Sequence, residues 1–504
     1  MTRADSPLAQ FRAITERSGD KTAFVDVTTP GKRRQLNYRE TLDAAARLAA
    51  LLGERVPAGA RIAASLPNGI DLAIFYLACL HGGFSAVPVN PSLPPDIMSF
   101  ITRASRATLL VADDTNLARI EAPCPILRVA GDGLLAGCRD HIPGAPSVDG
   151  DAILSITFTS GTVGRPKGVA HRVDAMLGNV QAFNSLAGLD ATTRMLHVMP
   201  MCYMAGFLNT ILSPLAAGGT VVLAPAFDAQ RALAFWVPAM AEDVDTMWLT
   251  PTMAALLHRL SRGNEVPAWT RRTLRNVFVG TAPLSPATKA AFEERFGVEC
   301  LESYGMTEVM LVSANSRLCD RQPASVGHLI DGVTVETRSA DGTAQPPGTE
   351  GELWVATRWA LEGYLTEENS EPASPLEDGW MPTGDIGRVD PDGHLYITGR
   401  LKDLIIVGGT NVSPRAIEEA LLSRPGVVDA AVVGSPHPFW GEEPVAFLVL
   451  AGGLTLDAVQ AGLTAHCRSV LPTAAVPARM IALPAFPRNP TGKVLKHELA
   501  RTLS

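Results

Sequence analysis

Ten consecutive residues, Thr159-Ser160-Gly161-Thr162-Val163-Gly164-Arg165-Pro166-Lys167-Gly168, concentrate hydroxyls, glycines and one lysine in a single segment. This is phosphate-binding chemistry. Glycines let backbone N–H groups turn inward as an anion-binding nest, hydroxyls add donors, and an ammonium neutralises the outer phosphates. The run Ile153-Leu154-Ser155-Ile156-Thr157-Phe158 just before it reads as a buried strand that would carry the loop to a sheet edge. The order is not that of a P-loop nucleotidase. Pro-Lys-Gly stands where Gly-Lys-Ser/Thr is required, and no hydroxyl opens the Val169-Ala170-His171 that follows. Taken alone, the composition also suits an ordinary glycine-rich turn.

Four further segments follow in order: Tyr304-Gly305-Met306-Thr307-Glu308, Thr383-Gly384-Asp385, Gly399-Arg400-Leu401-Lys402-Asp403 leading into Gly408-Gly409-Thr410-Asn411, and Asn489-Pro490-Thr491-Gly492-Lys493. Weaker matches are Leu36-Asn37-Tyr38-Arg39-Glu40 and Pro438-Phe439-Trp440-Gly441-Glu442. Together with the first loop, and in this order, they resemble the adenylate-forming superfamily of acyl-CoA synthetases, peptide-synthetase adenylation domains and luciferases. The resemblance spans nearly the whole chain. It implies a large α/β N-terminal adenylation domain of layered sheets and helices, residues 1–401, and a smaller mobile α+β C-terminal domain, residues 402–504.

The resemblance also implies a reaction and its residues. A carboxylate is a poor acyl donor, so it is joined to AMP from ATP with loss of pyrophosphate, and the acyl group then passes to a thiol, here that of CoA. Thr159, Ser160, Gly161, Thr162, Gly164 and Lys167 would hold the outer phosphates. Thr307 would add a phosphate hydroxyl and Glu308 a carboxylate for Mg²⁺, a hard cation that takes oxygen ligands shared with a nucleotide. Asp385 would accept from the ribose hydroxyls, Arg400 would contact ribose or phosphate, and Tyr304 would lie against adenine. Ser303, Gly305, Gly280, Ala282 and Pro283 complete the nucleotide site; Thr281 is a departure from the family's Gly-Ala-Pro-Leu loop. Lys493 would bridge the acyl carboxylate and the α-phosphate. Lys402 would be the hinge on which the small domain turns, withdrawing Lys493 and bringing Gly408 and Gly409 to line a thiol channel.

The acyl pocket would be built from Tyr203, Met204, Gly206, Gly280, Met306 and Met310. Tyr203 stands where the family commonly has histidine, and Val163 where a second hydroxyl is usual. The methionine-rich surroundings and the lack of an aspartate placed for an α-ammonium point to a hydrophobic carboxylic acid rather than an amino acid. Two other readings stay open: a ligase that loads a separate carrier protein, and a nucleotide-binding homologue without catalysis.

The remainder of the 504 residues must position these groups. A 46% hydrophobic content supports large cores and more than one domain, and a net charge of -8 gives no general basic footprint for nucleic acid. The longest apolar stretches, such as Leu72 to Leu80, are too short for a membrane span, and the first residues lack an apolar signal core, so a cytoplasmic location is expected. Seven scattered cysteines without a C-x-x-C pair suggest neither zinc nor disulfides, and Cys202 is read as buried packing. Helical periodicity, as over Thr41 to Leu52, alternates with short strands such as Thr220 to Leu223. Gly131-Asp132-Gly133-Leu134-Leu135-Ala136 loosely fits a dinucleotide fingerprint but reads as a turn.

Overall fold

In the computed structural model of the chain, residues 6–131, 133–159, 165–369, 371–488 and 493–503 are described. Two large, mostly parallel sheets dominate the N-terminal part. One has nine strands, in the order His328–Leu329, Met310–Ala314, Cys300–Met306, Asn276–Val279, Thr246–Leu249, Arg194–His197, Thr220–Leu223, Thr22–Asp26 and Arg34–Asn37. The other has seven: Gly363–Leu365, Lys167–Arg172, Ile153–Thr159, Ser85–Pro88, Arg61–Ser65, Leu109–Asp113 and Ile126–Val129. Their central strands Thr220–Leu223, Thr246–Leu249 and Ser85–Pro88 are buried at every position, as expected where helices cover both faces of a parallel sheet.

One core cluster joins both sheets through two helices. Ile70–Gly82 buries everything from Leu72 to Leu80, so the longest apolar stretch is an interior helix, and Val173–Ala187 contributes Met176, Leu177, Val180 and Phe183. A four-stranded antiparallel sheet, Val333–Arg338, Gly351–Thr357, Trp380–Val389 and Leu395–Arg400, completes this part.

The chain then passes through a short 3₁₀ turn, Leu401–Asp403, into a small α+β unit. Its sheet runs Thr410–Val412, Ile405–Val407, Gly441–Leu450, Val427–His437, with Arg479–Ala482 parallel to Gly441–Leu450. Alternation along Val427–His437 sends Ala430 and Val432 towards helices Pro414–Leu422 and Leu456–Val470, and Ala431 and Val433 towards Phe486 and Leu499 of the C-terminal segment. This unit thus owns two small cores. The dinucleotide look-alike is a turn leading to the four-residue helix Leu134–Gly137, and the Asp71 carboxylate already accepts from Leu135 N at 3.4 Å. All seven cysteines are free; Cys202 is buried, and burial pushes its thiol up to about 12. Among the described residues no helix is long and apolar enough to cross a membrane.

Candidate active site

The motif residues gather where several strands end. Arg194–His197, Thr246–Leu249 and Asn276–Val279 run parallel, and the segments leaving their carboxyl ends are Pro200 to Gly206, Thr250-Pro251-Thr252 and Gly280 to Leu284. In open parallel sheets this is the side on which ligands bind. Gly280 and Ser303 lie on adjacent strands, and a Cβ on Gly280 would fall 2.6 Å from Ser303 Oγ. Of the six non-glycine residues with positive φ among those described, two lie here, Thr281 (71°) and Met310 (60°). Such strain persists only where the surroundings over-determine it, and it clusters at functional sites.

Strands Ile153–Thr159 and Lys167–Arg172 form a hairpin with Thr159 opposite Lys167, so the strand read from the sequence does carry the glycine-rich loop to a sheet end. Ser160, Gly161, Thr162, Val163 and Gly164 lie outside the described residues. The Lys167 ammonium stands 5.1 Å from the centroid of the Tyr364 ring, and the Tyr364 hydroxyl donates to Glu308 Oε1 at 2.9 Å. Tyr364 therefore ties the lysine of the phosphate loop to the acidic residue 141 positions later. Nothing in the sequence marked it. Thr307 is fixed from behind: its carbonyl accepts from His171 Nε2 at 2.6 Å, which places the ring proton on that nitrogen. His171 is fully buried, and the loss of solvation drives its pKa down to about 4.

At the other end, Asp385 is buried at the antiparallel pairing of Trp380–Val389 with Leu395–Arg400, directly opposite Arg400. Arg400 donates to both Asp385 oxygens through Nε and Nη2, and Tyr304 Oη donates to Oδ2 at 2.6 Å. Loss of solvation, then the Asp385 charge, pushes the Tyr304 phenol well above its ordinary range, so it stays a donor. With Arg400 Nη2 and Tyr304 both on Oδ2, the lone pair left for a further donor is on Oδ1. Three residues from separate motifs thus form one unit. Tyr304, Met306 and Met310 share the hairpin of Cys300–Met306 with Met310–Ala314.

The predicted acyl-pocket segment is anchored to both sheets. Tyr203 Oη accepts from Asn90 Nδ2 at 2.9 Å, and burial pushes its phenol up to about 12. Gly206 is required by close approach, since a Cβ there would lie 2.1 Å from Pro200 O. Behind it lies a network missed in the sequence. Asn68 Nδ2 donates to His197 Nε2 (3.1 Å), His197 Nδ1 donates to Thr210 Oγ1 (2.7 Å), and Thr210 donates to Gly206 O (2.7 Å). Asn68 Oδ1 also accepts from Met201 N at 2.9 Å. His197 is fully buried and its pKa falls to about 3, so the network is held by a neutral ring. Residues Ala205–Leu212 form a π-helix, a geometry frequent at functional sites. Met201 and Met204 before it, Phe207 within it and Met310 are all buried in the same core cluster.

The C-terminal unit brings two more motifs. Lys493 retains exposed surface, yet its pKa is lowered, first by crowding that removes solvent and then by Arg400 and Lys402, with Asp403 and Asp385 acting against them. Its ammonium thus lies within electrostatic range of the Asp385–Arg400 pair. Asn489, Pro490, Thr491 and Gly492 fall outside the described residues. Lys402 sits exposed in the 3₁₀ turn between the two units. Gly408 (φ 56°) and Gly409 (φ 82°) make the left-handed turn joining Ile405–Val407 to Thr410–Val412, and Gly408 N donates to Trp440 O at 2.7 Å. A cleft of about 670 Å³ lined by Gln460, Arg468 and Met480 on this unit contains none of the motif residues, so the site is defined by convergent chemistry rather than by that cavity.

No group of three or more Asp, Glu, His or Cys side chains able to hold a metal occurs among the described residues. A lone Glu308 carboxylate fits Mg²⁺ only in the mode in which nucleotide oxygens supply further ligands. The Asp385 unit fits a ribose, and the Lys167 hairpin fits phosphates.

Comparison with known proteins gives the family. Residues 11–365 match the model of the AMP-binding enzyme family and residues 416–493 that of the AMP-binding enzyme C-terminal domain. The chain is 32% identical over 454 residues to a sulfoacetate–CoA ligase of Cupriavidus necator, covering 88% of this chain and 87% of that one. It is 28% identical over 497 residues to a long-chain-fatty-acid–CoA ligase of Mycobacterium tuberculosis, covering 96% and 95%. The crystal structure of ATP-bound MatB from Rhodopseudomonas palustris superposes with a TM-score of 0.86 at 26% identity over 98% of each chain. The chain therefore belongs to the AMP-binding enzymes of the adenylate-forming superfamily, as an AMP-forming acid–thiol ligase.

Proposed function

We propose that the protein activates a hydrophobic carboxylic acid as its acyl adenylate and passes the acyl group to CoA. The observation that carries the proposal is the bonded unit of Asp385, Tyr304 and Arg400, drawn from three motifs, with Lys493 of the small unit within electrostatic range of it. Asp385 binds the ribose, Tyr304 stays protonated and holds that carboxylate in place, and Lys167 with the hairpin loop takes the outer phosphates. The carboxylate oxygen attacks the α-phosphorus, the bond to the bridging oxygen breaks, and pyrophosphate leaves with the electron pair. Lys493 meets the charge that develops between carboxylate and α-phosphate, where a preorganised cation is worth most. Mg²⁺, held through Glu308 and shared with phosphate oxygens, would supply charge neutralisation. In the second step the thiol sulfur attacks the acyl carbon and AMP departs, once the small unit has turned about Lys402 and presented Gly408 and Gly409.

The relatives act on acids as different as sulfoacetate and long-chain fatty acids. The buried methionines and Phe207 support an apolar acyl group here, with Tyr203, pinned by Asn90, as one wall. Compartment and partners beyond acid, ATP and CoA are left to the same reading: a soluble cytoplasmic enzyme with CoA as acceptor. The test is pyrophosphate release across a panel of aliphatic, aromatic and polycyclic acids, with and without CoA. Release with an apolar acid and thioester formation on adding CoA are expected; release without any thioester would move the acceptor to a carrier protein, and no release from any acid would overturn the proposal.

A further inference from the structure

The segment that carries Lys493 is closed by its own base. Arg488 and Val494 form an antiparallel bridge and Leu495 N donates to Pro487 O at 2.9 Å, so the two ends of the segment that carries Lys493 are held side by side at Arg488. On the downstream side Lys496 Nζ pairs with Glu418 Oε1 at 2.6 Å, and Glu418 Oε1 also accepts from Val432 N. Both of those contacts lie within the small unit. Arg488 differs. Its Nη2 is ion-paired with Asp429 of strand Val427–His437, while its Nη1 donates to Thr252 Oγ1 at 3.2 Å, in the first turn of helix Pro251–Leu260 of the large N-terminal part. Arg259, on the same helix, is close enough for its charge to stabilise the Asp429 carboxylate. The small unit therefore touches the helix that leaves the carboxyl end of Thr246–Leu249 through Arg488, at the start of the segment that carries Lys493.

We propose that Arg488 is a positioning residue specific to one half-reaction: anchored to Asp429 within the small unit, it grips Thr252 and so holds the segment that carries Lys493 against the large part during adenylation. This rests on the two-step reading above. If the small unit turns about Lys402, the Asp429 pair travels with it and the Thr252 bond must break. The grip therefore favours adenylation and is silent, or mildly opposed, in the thiol step. A merely structural arginine would affect both steps alike.

The decisive variant is Thr252→Val, which keeps the shape and removes only the cross-unit hydroxyl. Acyl-adenylate formation should fall by about tenfold, the scale of one hydrogen bond to a charged group. Thioester formation from supplied acyl adenylate should be unchanged or faster, and the melting temperature should stay put. Arg488→Met should lose more of the first step than Thr252→Val, and Arg488→Lys should recover part of it. Amide hydrogen exchange over residues 250–260 and 484–488 reads the contact itself without any turnover, and Thr252→Val should speed exchange in both segments of the unliganded enzyme. Equal losses in the two half-reactions, or an unchanged first step, would overturn the role of Arg488. Wild-type enzyme that turns over no acid would instead sink the catalytic reading, with the exchange result still deciding whether the contact exists in solution.

Discussion

The ribose end of the site and the Lys493 end are held in opposite ways. Asp385 is buried, paired in register opposite Arg400 on the four-stranded antiparallel sheet and bonded by Tyr304 of the nine-stranded one, so three side chains from three motifs fix one another. Lys493 belongs to a small unit whose cores are its own; the chain enters it through the exposed 3₁₀ turn at Lys402, and side chains such as Ser413, Arg415 and Arg488 reach back to the large part by single hydrogen bonds. A site that binds nucleotide through a whole catalytic cycle benefits from the first kind of construction, because preorganised groups need no rearrangement when charge develops. A group required in only one of two steps benefits from the second, because few contacts must be broken to remove it. The comparison teaches where to expect uniform binding and where to expect a step-specific effect.

The largest expected effect is at Lys493. Lys493→Ala should lower pyrophosphate release by roughly two to three powers of ten, the scale of one preorganised group lost at developing charge. Thioester formation from supplied acyl adenylate should largely survive, and equal damage to both would erase the contrast between the two ends. Next comes Lys402→Pro, which fixes φ near about -65° and removes a backbone donor at the turn. It should leave adenylate formation intact and cut transfer to CoA steeply; wild-type thioester production would move the pivot elsewhere. At the preassembled end, Asp385→Ala should act mainly on the KM for ATP, by about tenfold for lost charged hydrogen bonds, with kcat less affected. A folded variant with an unaltered KM would remove Asp385 from the ribose.

The smallest effect concerns the support behind the acyl segment and sharpens what preassembly costs. His197 is buried neutral with its pKa near 3, whereas an unfolded histidine titrates near 6.5. Between about pH 6.5 and pH 3 the unfolded chain takes up a proton that the folded chain refuses, so stability falls as pH drops, by up to about 1.4 kcal/mol per unit from this residue. His197→Gln should flatten the dependence of the melting temperature between about pH 6.5 and 5. An unchanged slope would show that the ring is not held neutral by burial.

Much of this was legible in the sequence because the informative signals are local. The strand preceding the glycine-rich loop and the strand Thr220–Leu223 follow from short runs, and the family follows from the order of the motifs. What could not be read depends on tertiary register. Tyr364 meets Glu308 across 56 positions, His171 meets Thr307 across 136, and Asn68 meets His197 across 129. A lone tyrosine, histidine or asparagine carries no periodic signature, so only the folded sheets reveal which of them face the site. The π-helix Ala205–Leu212 was hidden for a related reason: its apolar residues suit any buried helix, and nothing in their order marks the extra residue per turn.

The central claim is that one site runs two ordered reactions. Its most direct test is a quenched single-turnover experiment with enzyme, ATP, CoA and the best acid from the panel, following pyrophosphate, acyl adenylate and thioester together. The account predicts pyrophosphate and acyl adenylate rising first, at a rate independent of CoA, with thioester appearing as the adenylate decays. Pyrophosphate released only when CoA is present, in step with thioester and with no acyl adenylate at any time, would contradict it.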